Sequence, residues 1–252
     1  MAQTGMDGDA RVAQLEAELA ALRREMQDFT YVVGHDLRAP LRHIVSFAQL
    51  VQEDAGPKLS SEIQGFLGTI TDSAQHLTQM LDALLELARV GTVPLQPMQV
   101  PLQALVTELS SALIGAHPSR NMEWRISADL PEVHADPRLL RQALQQILDN
   151  AVKFTAGRDK PTIQVSAAQT ENSVTLEVRD NGAGFNPVSQ SKLFQPFSRL
   201  HGAKEFSGLG MGLALAHKCM DRMGGTLSVE AAVGQGCVVR MVLRSANTDE
   251  KN

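Results

Sequence analysis

Two neighbouring side chains, His35 and Asp36, set an imidazole beside a carboxylate in Gly34-His35-Asp36-Leu37-Arg38-Ala39-Pro40-Leu41. An imidazole serves as nucleophile or base near neutral pH, and an adjacent carboxylate fixes its tautomer. The residues ahead of the pair say how it is displayed. Val12, Leu15, Leu19, Leu22, Met26, Phe29 and Val33 recur at alternating steps of three and four, the seam of a coiled coil. His35 falls two residues past the last seam position, on the flank, so a helical bundle would present its ring to solvent. Pro40 then removes a backbone donor and invites a kink. A rigid helix with a solvent-facing His beside a carboxylate is what phosphoryl transfer to imidazole requires.

A second constellation runs from Gln146 to Ala214 in four pieces. On a helix, Gln146, Asn150, Lys153 and Phe154 share a face. Amide oxygens suit Mg²⁺, which binds few protein oxygens together with phosphates, and Lys153 supplies charge for phosphate. Taken alone, the same face also fits a solvated helix surface. Asp180-Asn181-Gly182-Ala183-Gly184-Phe185 ends a strand; Asp180 can accept from an adenine amine, and Gly182 and Gly184 permit close approach of a ligand. It also reads as an ordinary turn. Phe194 and Phe197 are apolar anchors in the long loop 183–209, which suggests a lid. Gly208-Leu209-Gly210-Met211-Gly212-Leu213-Ala214 opens a helix, where backbone N–H groups can face phosphates. No Gly-Lys-Ser/Thr follows and no strand directly precedes it, so it is neither a P-loop nor a dinucleotide fingerprint. Each piece alone is weak; the ordered set points to a nucleotide cleft.

These groups need two kinds of scaffold. Residues 11–92 predict a coiled coil running into a helical hairpin, with a breaker at Asp54-Ala55-Gly56-Pro57-Lys58. A second apolar stripe follows, through Ile63, Leu67, Ile70, Ala74, Leu77, Leu81 and Leu84, capped by Gly91. One hairpin cannot enclose two such stripes, so a second copy is expected to complete a homodimeric four-helix bundle. Periodicity alone fits a purely structural dimerisation hairpin equally well. Residues 93–246 mix helices with antiparallel strands in separate runs, which predicts an α/β sandwich with helices on one sheet face. Helices are expected over 102–114, from the Asp136-Pro137 cap onward, and over 211–223; strands over 122–126, 162–168, 173–179, 226–230 and 237–243. The fold class is therefore α+β and multidomain. Residues 1–10 are expected to be disordered and 247–252 to form a tail.

Bulk composition excludes several functions. A net charge of −5 and 4% aromatic residues argue against a nucleic-acid binder. No run of about 18 apolar residues exists, so no membrane span is expected. Cys219 and Cys237 lack metal-ligand spacing, which fits a reduced, cytoplasmic setting. His43, His76, His134, His201 and His217 read as surface or packing residues.

With these motifs in place, residues 25–245 resemble a two-component sensor histidine kinase. The resemblance implies that His35 is phosphorylated with help from Asp36, and that the later motifs bind ATP on a gyrase-like fold. Asn150 and Gln146 would hold Mg²⁺, Lys153 would approach the phosphates, and Asp180 would read adenine beside Gly182 and Gly184. Phe154, Phe185, Met211 and Leu213 would complete the pocket. Phe194 and Phe197 would anchor the lid, hinged by Gly208, Gly210 and Gly212. The implied partners are a second copy and the aspartate of a response-regulator receiver domain. With 34 residues ahead of His35, input is expected from a sensor domain or protein missing from this chain. Two departures stand out. Gln146 occupies a position where the family commonly has Asn, and Ala39 stands where kinases that also dephosphorylate have Thr or Asn. Weak or absent phosphatase activity follows from the second. Two rivals stay open: a catalytically degenerate dimeric scaffold that binds nucleotide and recruits partners, and an ATPase or serine kinase on the same fold.

Overall fold

The computed structural model describes residues 3–187, 192–202 and 205–246. The chain divides into two compact units, Met1–Val93 and Pro94–Asn252.

The first unit is an antiparallel helical hairpin. Helix α1 spans Gln3–Ala55, a 3-10 turn follows at Gly56–Lys58, and α2 spans Ser61–Thr92. The helix thus reaches back across residues 3–10, where composition predicted disorder. Gly5 and Gly8 each cost about 1 kcal/mol there, but no proline stops propagation. Residues 1–2 and the expected tail at 247–252 lie outside the described residues. Ser60 caps α2, its hydroxyl accepting from the Ile63 N–H at 3.3 Å. Gly91 lies inside the last turn of α2 and does not cap it. Val93 is the C-cap, held extended because Pro94 follows. Pro40 sits inside α1 without ending it, and has no N–H to give the Asp36 carbonyl. Arg38 ties the two helices together, donating to Asp82 Oδ1 from Nε at 2.9 Å and Nη2 at 2.8 Å.

The second unit is a five-stranded sheet covered on one face by helices. Its order is β2 (Glu123–Ile126), β4 (Thr162–Gln169), β5 (Ser173–Asp180), β7 (Gly236–Arg244) and β6 (Thr226–Ala232). All neighbours are antiparallel except β2 and β4, whose parallel pairing requires a crossover; α4 (Pro137–Phe154) provides it. A separate ribbon pairs β1 (Met98–Pro101) with β3 (Glu132–Ala135). Helices α3 (Leu102–Ala116) and α5 (Gly212–Arg222) pack on α4. Leu140, Leu144 and Leu148 of α4 and Ile163, Leu176 and Met241 of the sheet are fully buried. Among the described residues no helix is long and apolar enough to cross a membrane.

Helix α4 starts where the sequence says it must. Asp136, with a fully buried side chain, accepts from the N–H groups of Arg138 at 3.0 Å, Leu139 at 3.3 Å and Gln96 at 2.8 Å. Burial works to raise its pKa, but these donors and the Arg138 guanidinium outweigh it and hold the carboxyl below its usual range. A depressed folded pKa contributes stability above the unfolded pKa and loses it as pH falls through the folded value. Asp136→Ala is therefore expected to cost about 2 kcal/mol at neutral pH. Denaturant midpoints of variant and wild type should converge in acid; a constant gap would exclude the ionised cap.

Candidate functional site

His35 and Asp36 lie exposed on α1, with side-chain exposures of 74% and 69%. His35 Nδ1 stands 3.1 Å from Asp36 Oδ1. A carboxylate only accepts, so this contact suits the neutral ring with its proton on Nδ1, the tautomer that leaves the Nε2 lone pair outward. The preceding Gly34 is buried: a Cβ there would stand 2.6 Å from Leu85 Cδ1. Close packing of the helices just before His35 fixes the backbone from which the ring projects.

In the second unit a cavity of about 420 Å³ opens beside α4. Gln146, Asn150, Lys153 and Phe154 line it from α4, and Asp180 and Cys237 from the sheet. Gly184 and Phe185 join from the loop after β5, Gly208, Gly210 and Met211 from the segment leading into α5, and Gly212 and Leu213 from its first turn. Gly182 is not in the wall; its N–H donates to Asp180 Oδ1 at 2.7 Å and so aims the carboxylate.

Charge inside the cavity is poorly compensated. Burial, together with the nearby Arg199, lowers the Lys153 pKa. Burial raises that of Asp149, another wall residue. Burial pushes Asp180 up to about 6, opposed by the N–H groups of Gly182 and Cys237 and by the Arg158 charge. It also pushes the Cys237 thiol up to about 12, with the Asp180 charge adding to it. Lys153 and Arg199 together favour an anion, which would relieve both.

The raised Asp180 has a stability consequence. Its stabilising share is complete below the unfolded pKa and is lost as pH rises through about 6. The rise from 3.8 to about 6 corresponds to at most about 3 kcal/mol at neutral pH. Asp180→Asn is therefore expected to stabilise the ligand-free protein above pH 6, as read by denaturant unfolding. A loss of stability there would mean the ionised carboxylate is favoured by its neighbours.

The start of α5 is shaped for a small, oxygen-rich ligand. A Cβ on Gly212 would stand 2.8 Å from Gln146 Oε1 and 3.4 Å from Asn150 Nδ2, so glycine leaves both amides facing the first turn of α5. N–H groups in that turn lack intrahelical acceptors and suit phosphate. Among the described residues no group of three or more His, Cys, Asp or Glu could hold a metal. The donor set is two neutral amides, which fits a Mg²⁺ that arrives with phosphate oxygens.

Other residues fall elsewhere than expected. Phe194 stacks on His217 of α5, with ring centroids 4.5 Å apart, outside the cavity wall. Leu193 lines the cavity in its place. Phe197 is also outside the wall, in the left-handed region at φ 61°, which costs a bulky residue about 1–2 kcal/mol. Its backbone packs against Gly210, where a Cβ would stand 2.5 Å from the Ser198 oxygen. His201 lines the cavity, although the sequence suggested a surface or packing role. It forms a three-ring cluster with Phe154 and Phe206, centroids 5.0–5.4 Å apart. Arg199 and Phe206 carried no sequence signal beyond lying in the long loop.

Comparisons with known proteins divide the chain in the same way. Residues 25–92 match the His Kinase A (phospho-acceptor) domain, and residues 135–247 match the Histidine kinase-, DNA gyrase B-, and HSP90-like ATPase. Cyanobacterial phytochrome B of Nostoc sp. is 30% identical over 92% of this chain and 31% of its own length. The methanogenesis regulatory histidine kinase FilI of Methanothrix harundinacea is 31% identical over 92% of this chain and 26% of its own. The crystal structure of full-length ShkA in complex with AMPPNP aligns with a TM-score of 0.62 at 27% identity, over 86% of this chain and 46% of that one. This chain thus spans about a third or less of these curated relatives. With a phosphoacceptor module followed by the matching ATPase module, it belongs to the two-component sensor histidine kinases.

Proposed function

We propose that this chain is a protein-histidine kinase that phosphorylates His35 from ATP and passes the group to an aspartate of a response-regulator receiver domain. The exposed His35, with Nδ1 on Asp36 and Nε2 free, carries the reading. Nε2 attacks the γ-phosphorus, ADP leaves, and the ring becomes a phosphoimidazolium whose positive charge Asp36 stabilises. Asp180 accepts from the adenine amine, Phe154 supplies an apolar face, and Lys153 and Arg199 face the phosphates. Asn150 and Gln146 would hold Mg²⁺, which neutralises charge on the transferring group. Gln146 offers a neutral amide where a hydrolase would place a carboxylate base, which supports transfer to His35 over hydrolysis.

The hairpin supports a homodimer. Phe47, Leu50, Val51, Phe66, Ile70 and Leu77 are each 45–66% exposed along its two helices, a stripe that a second hairpin would cover. The coiled-coil positions Leu15, Leu19, Leu22, Met26 and Phe29 are equally exposed ahead of it. Ala39, half-buried one turn beyond His35, has no polar atom to orient water, which supports weak or absent phosphatase activity.

Incubation with γ-labelled ATP and Mg²⁺ tests the reading. The expected product is a label lost in acid and kept in base, then transferred to a receiver domain. An acid-stable label would select a serine kinase. Nucleotide binding with no label would select the scaffold.

A further inference from the structure

Arg158 lies in the loop between α4 and β4, outside the cavity wall, in none of the motifs above. Its Nη2 donates to two carbonyls from distant parts of the chain: Gly182 O at 2.7 Å and Gly234 O at 2.5 Å. The first belongs to the turn that follows Asp180, the second to the β6–β7 hairpin. Those two segments also meet directly, the Gly234 N–H donating to Ala183 O at 2.7 Å. The Ala183 N–H in turn donates to Phe154 O, at the end of α4, at 3.1 Å. Three segments therefore converge behind Asp180, packed too closely for side chains. A Cβ on Gly184 would stand 1.9 Å from Ala232 O, and one on Gly236 2.0 Å from Asp180 O. Such a junction holds one arrangement of the Asp180 carboxylate only while its backbone carbonyls are satisfied. The two hydrogens of one guanidinium nitrogen satisfy both carbonyls, on a long side chain whose charge does not titrate.

We propose that Arg158 is a positioning residue: by clamping Gly182 to Gly234 it holds the Asp180 turn so that the carboxylate reads the exocyclic amine of adenine. This rests on the reading of Asp180 given above. The same guanidinium favours ionised Asp180, the form that accepts from an amine. The other groups acting on that carboxylate are the N–H groups of Gly182 and Cys237, and the Cys237 thiol, which stays protonated.

The test compares binding of Mg·ADP and Mg·IDP to the full chain by calorimetry, from mildly acidic to mildly alkaline pH. IDP has a carbonyl in place of the amine but the same diphosphate, so the affinity ratio isolates base reading from phosphate titration. Wild type should favour ADP, with the ratio rising through about pH 6 as Asp180 ionises. Arg158→Ala should lower the ratio by about tenfold, one charge-assisted hydrogen bond, with IDP affinity unchanged. Its pH midpoint should move upward, because a positive charge has been removed. Arg158→Lys should keep the wild-type midpoint with a partial loss of ratio; Arg158→Gln should shift the midpoint. These two variants decide the matter if Arg158→Ala does not fold. A wild-type ratio and midpoint in all variants would overturn the proposal, as would equal losses for ADP and IDP, which mark general scaffolding. Absence of any ADP preference in wild type would instead overturn the role given to Asp180.

Discussion

His35→Ala is expected to incorporate no acid-labile phosphate from ATP while binding nucleotide as wild type does. The substitution deletes the only atom assigned as nucleophile, so the loss is to background. Stability should be untouched, because an exposed position of this kind usually shifts folding by no more than about 0.5 kcal/mol. An unchanged melting temperature with abolished labelling separates chemistry from misfolding. His43, also exposed on α1, is the internal control: His43→Ala should label normally. A label persisting in His35→Ala would remove the site, and one that disappeared only with His43 would relocate it.

Asp36→Asn is expected to label roughly a hundredfold more slowly at saturating ATP, with nucleotide affinity kept. The amide is nearly isosteric, but it can donate where the carboxylate only accepts. It therefore permits the tautomer with the proton on Nε2, which cannot attack phosphorus. It also leaves the phosphoimidazolium charge without a counter-ion. An exposed pair contributes about 0–1 kcal/mol in the free protein, so folding stability should not report the change. Single-turnover labelling is the measurement. Equal rates would take Asp36 out of the mechanism, and a raised requirement for ATP would assign it to binding instead.

Periodicity made the long helices and the sheet legible because their signals are local. Asp136-Pro137 announces α4, and the alternation of β5 delivers Asp180 to its buried end. The ribbon of β1 and β3 left no such trace: each strand has four residues, and their pairing joins Met98 to Ala135 across the chain. The N-terminal stretch reads as disorder because its sequence is polar, contains glycine and carries no apolar stripe. In the cavity, α4 placed Gln146, Asn150 and Lys153 by simple helical geometry. The loop 192–210 obeys no period, so residue type alone marks Phe194 and Phe197 as lid anchors. Their true contacts, and those of His201 and Phe206, depend on where an irregular backbone turns. Arg158 was invisible for a related reason: its acceptors are main-chain carbonyls, which any sequence possesses.

Pro40 gives α1 a mechanical property that its length alone would not. A hydrogen-bonded helix transmits twist and bending as a stiff rod, but here one rung is missing at the Asp36 carbonyl, next to His35. Deformation imposed anywhere along the rod concentrates at this compliant turn. Amide hydrogens flanking it should exchange with solvent faster than those a few turns further on, near the close-packed Ala48. The proposed phosphoacceptor His35 thus lies between a turn pinned by packing at Gly34 and the more compliant one that Pro40 opens.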